Sequence, residues 1–235
     1  MTKMSVETPV IAIPGMNCSP ALWSTCNFPE NTVHFVPAQP SMNKLVKELD
    51  KEIQSPTILV GLSLGGIIAM RFARRFPEKV RGILLMATNS LAPTPQQLDG
   101  WKISVQEVED GLTPTKYQES ISEKLVASDI NDQEKFQRLA VEIAEPISAE
   151  VLKNQLLAQI TRTDELGYLP KLRVPVEVLC GSNDAICPVR RHEEIHEAVP
   201  DSNLEIIPGA GHLLSLTHPK HVDEAYQRLR VRTQS

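Results

Sequence analysis

The chain has 235 residues, 41% of them hydrophobic and 23% charged, with a net charge of −5. That composition excludes a disordered chain, a collagen-like repeat and a disulfide scaffold, and the length is enough to bury a core. The acidic balance and the 4% aromatic content argue against a nucleic-acid partner, whose readers are normally basic or rich in stacking rings.

The first nine residues carry no apolar stretch of the kind that opens a secretory leader. No apolar run reaches the ~18 residues that span a bilayer, so no membrane span is expected. Cys18, Cys26, Cys180 and Cys187 show neither a CxxC pair nor metal-ligand spacing with histidine. The expectation is a reducing, cytoplasmic setting with no metal.

Short apolar runs bounded by Pro, Gly, Asn or Thr then alternate with amphipathic stretches. Pro9–Pro14 is too short and too proline-flanked for a helix, so it reads as a buried strand. A weak helix follows around Ser19–Thr25, then a second strand over Thr32–Val36. Ser41 caps a helix with Leu45, Val46, Leu49 and Ile53 at helical spacing. Thr57–Val60 is a third strand, Leu64–Phe76 a helix ended by Pro77, and Val80–Met86 a fourth strand. Val176–Cys180 and Leu204–Ile207 are the fifth and sixth, and the last helix spans about 219–232. Near-continuous apolar strands alternating with helices predict an α/β fold, a mostly parallel six-stranded sheet covered on both faces. No strand is visible from Thr88 to Leu169, where segments such as 133–143 and 149–160 have helical patterning. The expected organisation is a core of residues 1–90 and 165–235 with a helical cap, 91–164, over the carboxyl ends of the strands, where such sheets bind ligands.

The sharpest motif is Gly61-Leu62-Ser63-Leu64-Gly65, a G-x-S-x-G with a strand before it and a helix after it. The serine needs a tight turn to stand clear of the sheet edge, and the backbones meeting there leave room only for glycine two residues either side. A phosphate loop is excluded because neither GK[ST] nor G-x-G-x-x-G is present. A serine alcohol needs a base. His212 is the candidate, on the loop Pro208-Gly209-Ala210-Gly211 after the last strand. His34 lies in a strand, His218 precedes the last helix, and the His192/His196 pair reads as a solvated helix face. An imidazole base needs an acid to set its tautomer. Asp184 follows the fifth strand, whereas the fourth is followed by Ala87-Thr88-Asn89-Ser90, with no carboxylate.

The order Ser63, Asp184, His212 on this strand pattern resembles the α/β-hydrolase superfamily, within it the small, lidded carboxylesterase and enol-lactonase-like enzymes. The resemblance implies an oxyanion hole built from the Leu64 amide and an amide of the loop after the first strand, which falls on Met16. Relatives often have His-Gly there, and this chain has Pro14-Gly15. Relatives also open with a strand hairpin, and only eight residues precede Pro9 here, so a trimmed sheet is expected. Met16, Cys18, Trp23, Trp101, Ile186 and Leu213 are candidates to line the pocket. The activity implied is hydrolysis of a small-molecule ester or lactone without cofactor. A cofactor-free lyase, a C–C bond hydrolase and a slow ligand-sensing relative stay open. An acyl-carrier-protein partner would need arginines such as Arg71, Arg74, Arg75, Arg138, Arg190 and Arg191 to be free. A solvated helix face is the plainer reading of those side chains.

Overall fold

The computed structural model describes residues 8–234; the leader reading of the first residues therefore lies almost wholly outside it. Six strands form one parallel sheet in the order β2-β1-β3-β4-β5-β6. They are β1 Val10–Ile13, β2 Val33–His34, β3 Thr57–Leu62, β4 Val80–Met86, β5 Val176–Gly181 and β6 Ser202–Ile207. β2 is shorter than its apolar pattern predicts. It lies at the sheet edge with both residues exposed and is followed by Pro37, which cannot donate to a ladder.

Alternate residues of each strand enter opposite layers, as the period of two requires. Ile11, Ile13, Leu59, Ile83, Leu85, Val176 and Val178 pack against α1 (Met42–Glu52), α2 (Leu64–Arg75) and α7 (Val189–Ala198). Val10, Ala12, Ile58, Val60, Leu84, Met86 and Leu179 pack against α8 (Leu214–Thr217), α9 (Pro219–Arg232) and the turn of 3-10 helix Pro20–Trp23. Between β4 and β5 run α3 (Pro95–Glu109), α4 (Pro114–Leu125), α5 (Gln133–Glu142) and α6 (Ala149–Ile160), with no strand among the described residues. Three of the four, α3, α4 and α6, start where a sequence device allows. Pro95 and Pro114 fill first-turn positions whose N–H would lack a partner anyway. The hydroxyls of Thr94, Thr113 and Ser148 accept from the third helical amide. A small core of Val108, Tyr117, Ile147, Leu152 and Leu156 joins three of these helices. No helix among the described residues is long and apolar enough to cross a membrane.

The arginines considered for an acidic partner are mostly engaged within the chain. Arg71 and Arg74 both reach Glu165, which is almost fully buried. Arg190 and Arg191 pair with Glu194, and Arg138 with Glu134.

Candidate active site

Ser63 sits between β3 and α2 with φ 54° and ψ −114°, a left-handed conformation that costs a residue with a side chain about 1–3 kcal/mol. What holds it there is backbone packing. A Cβ on Gly65 would lie 1.9 Å from the Ile13 carbonyl oxygen, and one on Gly61 would lie 2.6 Å from the Gly65 and Gly66 backbone. The Ser63 N–H donates to the Met86 carbonyl at 2.9 Å. Its own carbonyl accepts from the Gly66 and Ile67 amides and from the Thr88 hydroxyl, the last at 2.8 Å. The Ser63 side chain makes no capping bond, so its hydroxyl stays available. Leu64 opens α2, and the first amides of a helix have no intrahelical acceptor. The Met16 N–H likewise has none among the described residues.

The loops bearing Asp184 and His212 interlock at β5 and β6. The Asn183 amide donates to the Ala210 carbonyl at 2.9 Å, and a Cβ on Gly181 would come within 2.1 Å of that same oxygen. Of the glycines before His212, Gly211 is held by close contact, since a Cβ there would lie 2.7 Å from the Ala127 backbone nitrogen, whereas Gly209 has open space and takes φ 71°. His212 is tied to the helical segment too, its amide donating to the Leu125 carbonyl at 3.1 Å. The His212 Nδ1 lies 2.8 Å from Asp184 Oδ2 and 3.0 Å from Oδ1. Oδ1 also accepts the Ile186 and Cys187 amides, at 2.8 and 2.9 Å. Burial pushes the Asp184 carboxyl up, but the charge and hydrogen bond of His212 and the two amides outweigh it and hold the group below the usual carboxylate range.

The Cys187 thiol joins Asp184 and His212 in a group of three potential ligand atoms within 4.8 Å of one another. The donor set suits a hydrogen-bonded pair better than a cation, because Asp184 is already saturated and burial pushes the Cys187 thiol up to about 12.

Ser63 and His212 share a cavity of about 180 Å³, small beside the several hundred Å³ usual for ligand pockets. No hydrogen bond joins the two side chains among the described residues; such contacts are often long before substrate binds. Gly15, Met16, Cys18, Trp101, Ile186 and Leu213 contribute to the wall. Trp23 does not. The 3-10 turn points its indole into the layer beneath α9, where it meets Phe28 edge-on at 5.7 Å.

The His192 expectation is corrected. It is fully buried, not solvated, and its Nε2 accepts the Thr88 N–H at 2.8 Å. Thr88 is the residue whose hydroxyl holds the Ser63 carbonyl, so α7 is linked to the serine turn through two hydrogen bonds. Burial pulls the His192 pKa down to about 4, against the raising effects of Asp184 and the Pro188 carbonyl and with a further lowering by His212. The folded state therefore holds His192 neutral where the unfolded chain would protonate it. Stability is complete above the ordinary value of 6.5, falls as pH drops towards 4, and loses about 3 kcal/mol across that window. Urea unfolding of wild type and His192→Gln between pH 7 and 4 checks this. The variant keeps an acceptor for Thr88 and is expected to lose the one-proton slope. His34 and His218, also lowered, are common to both proteins.

Asn17 was not singled out by the sequence. Its backbone has φ 58°, its amide donates to Gln155 Oε1 at 2.7 Å, and its Nδ2 donates to the Pro114 carbonyl and Gln118 Oε1, both at 2.8 Å. These bonds fasten the loop carrying Met16 to α4 and α6.

Comparison with known proteins agrees with this architecture. The chain is 28% identical over 180 residues to a pimeloyl-[acyl-carrier protein] methyl ester esterase of Neisseria meningitidis serogroup A, covering 75% of this chain and 57% of that protein. The chain thus spans little more than half the length of that relative. A thermophilic esterase from Thermogutta terrifontis has a similar structure, with TM-score 0.83, 23% identity, and 97% and 91% of the two chains covered. A bromoperoxidase from Bacillus anthracis has TM-score 0.75, 18% identity, and 95% and 92% covered. At such identities these two structures speak for the fold alone. The sequence pattern of the family described as alpha/beta hydrolase fold matches residues 10–219, and the chain belongs to that family.

Proposed function

We propose that the chain is a serine hydrolase acting on small to medium carboxylic esters or lactones. The observation that carries this reading is the buried Asp184–His212 pair, at 2.8 Å, facing the same small cavity as a serine in a strained turn. In the proposed reaction Ser63 Oγ attacks the carbonyl carbon while His212 Nε2 takes its proton. Asp184 keeps the other ring nitrogen protonated and stabilises the imidazolium. The Leu64 and Met16 amides receive the oxyanion, a contribution worth ~10²–10³ in rate per donor in comparable sites. His212 then protonates the leaving alcohol, and a water activated by the same ring releases the acid. No step needs a metal or organic cofactor. The helices within 91–164 act as the cap, since α3, α4 and residues just past α6 supply Gln97, Trp101, Tyr117, Ile121 and Arg162 to the cavity. Four free cysteines suit a reducing compartment such as the cytoplasm.

The Neisseria relative's name favours a second reading, an ester borne on an acyl carrier protein. Against it stand the internal ion pairs of Arg71, Arg74, Arg190 and Arg191. A fluorophosphonate probe tests the serine without any guess at substrate. Labelling is expected on the peptide carrying Ser63 and nowhere else. A label on another residue, or none beside an active protein, overturns the assignment.

A further inference from the structure

Arg162 is the only buried arginine among the described residues, 6% exposed, and it lines the cavity that holds Ser63 and His212. It follows α6 directly. Nη1 donates to Gln159 Oε1 at 3.2 Å and Nη2 to Gln97 Oε1 at 3.1 Å. Gln97 Oε1 is shared with the Thr94 amide at 3.0 Å. The guanidinium stands over the Trp101 ring, 5.0 Å from its centre. Its Nε is buried without an acceptor.

No carboxylate pairs with Arg162 among the described residues, whereas Arg71 and Arg74 meet Glu165, and Arg228 and Arg232 meet Glu177. The cavity lining adds one more cation, Lys124, and contains neither aspartate nor glutamate. Burial pulls the Arg162 pKa down to about 10, so the group remains charged at neutral pH. Two neutral amide oxygens are weak compensation for a buried guanidinium, and a helix contact alone is met more cheaply by an apolar residue. Five N–H donors in a planar fork match a carboxylate in two-pronged fashion.

We infer that the substrate carries a free carboxylate, held by Arg162 while Ser63 attacks an ester carbonyl elsewhere in the same molecule. The class is the half-ester of a short dicarboxylic acid, a lactone acid being its cyclic counterpart. The cavity volume limits the spacer. The inference rests on the hydrolase reading. The Ser63 Oγ–C bond forms as the C–O bond to the alcohol breaks, the serine proton passes through His212 to the alcohol, and water releases the diacid.

The test compares monomethyl and dimethyl esters of succinic, glutaric, adipic and pimelic acids on the full chain. Wild type is expected to prefer the monoester in kcat/KM by at least about 10-fold at one spacer length. Arg162→Met is expected to lose on the order of 100-fold on that monoester and less than about threefold on the diester, with Arg162→Lys between. Equal losses on both substrates mean a purely structural arginine and overturn the inference, as does a wild-type preference for diesters. Should Arg162→Met not fold, the wild type decides. Glutarate or adipate must inhibit p-nitrophenyl butyrate hydrolysis more strongly than the monocarboxylate of the same length, and failure to do so overturns the proposal. If Ser63→Ala abolishes p-nitrophenyl butyrate hydrolysis but no carboxylate preference exists, only this inference falls. If that variant is as active as wild type, the hydrolase reading falls first.

Discussion

Ser63→Ala is expected to lower kcat by roughly 10⁴–10⁶ on any ester the wild type cleaves. The variant loses the atom proposed to bond to the substrate, while the Asp184–His212 pair persists. Its stability is expected within about 1 kcal/mol of wild type, because the Ser63 side chain makes no capping bond whose loss would orphan a partner. Parallel ester assays and thermal melts read both values. Ser63→Gly sharpens the test. Glycine adopts φ 54° without the strain serine bears, so this variant is expected to be equally inactive yet more stable by up to about 1 kcal/mol. A stable, inactive glycine variant would mean that the turn is kept strained for the hydroxyl it presents. If Ser63→Ala kept wild-type turnover, the nucleophile would have to be sought elsewhere.

The strands and the serine turn were legible because their physics is local. A run such as Thr57-Ile-Leu-Val60 between a proline and a glycine has few alternatives to a buried strand. Gly61 and Gly65 stand where no other residue fits against Ile13 and Gly66. That Asp184 and His212 would come together was expected through a weaker rule, that ligand sites of such sheets lie past the strand ends, and the structure brings the two side chains within hydrogen-bond distance. What escaped depends on contacts across the fold. His192 is flanked by Arg190, Arg191, Glu193 and Glu194, and only the fold shows that its ring, on the face shared with Val189 and Ile195, meets the loop after β4. Trp23 was one of several candidates for the pocket, and the 3-10 turn rotates it into the core. β2 kept only two paired residues since apolar character does not reveal which strand lies at the edge. Arg162, in Thr161-Arg162-Thr163, reads as an ordinary loop arginine. Its lack of an acid is visible only when every neighbour is in place.

These residues share one design. The loop carrying Met16 is fastened to the helical segment by Asn17 and Gln155, the loop carrying His212 by the Leu125 carbonyl, and the loop after β4 to α7 by His192. The His212 loop is thus held from a second direction, and the Ser63 turn is held in the same way through the Thr88 hydroxyl on its carbonyl. Function of this kind needs positions accurate to a fraction of an ångström, and hydrogen bonds from a neighbouring element supply that accuracy where a free loop would not.

Asp184→Asn is the second large effect expected, about 10⁴ in kcat with little loss of stability. The geometry fixes which way the new amide turns. Oδ1 accepts the Ile186 and Cys187 amides at 2.8 and 2.9 Å, so the asparagine oxygen must occupy that position. Its NH₂ then takes the place of Oδ2, 2.8 Å from His212 Nδ1. An NH₂ there donates, which obliges Nδ1 to accept and moves the ring proton to Nε2. His212 is then held in the wrong tautomer and cannot take the Ser63 proton. Asp184→Ala imposes no tautomer, so it is expected to retain more activity than Asp184→Asn, though it leaves two buried amides without an acceptor and costs about 1–3 kcal/mol in stability. The pH dependence supplies the sign. In wild type the Asp184 carboxyl is lowered on folding, so its contribution to stability is present above the unfolded carboxylate range and lost as pH falls through the folded value. Asp184→Asn is expected to lack that acid loss while its rate stays low at every pH. A variant with near-wild-type kcat would show that His212 does not act through Asp184, and the proposed mechanism would have to be abandoned.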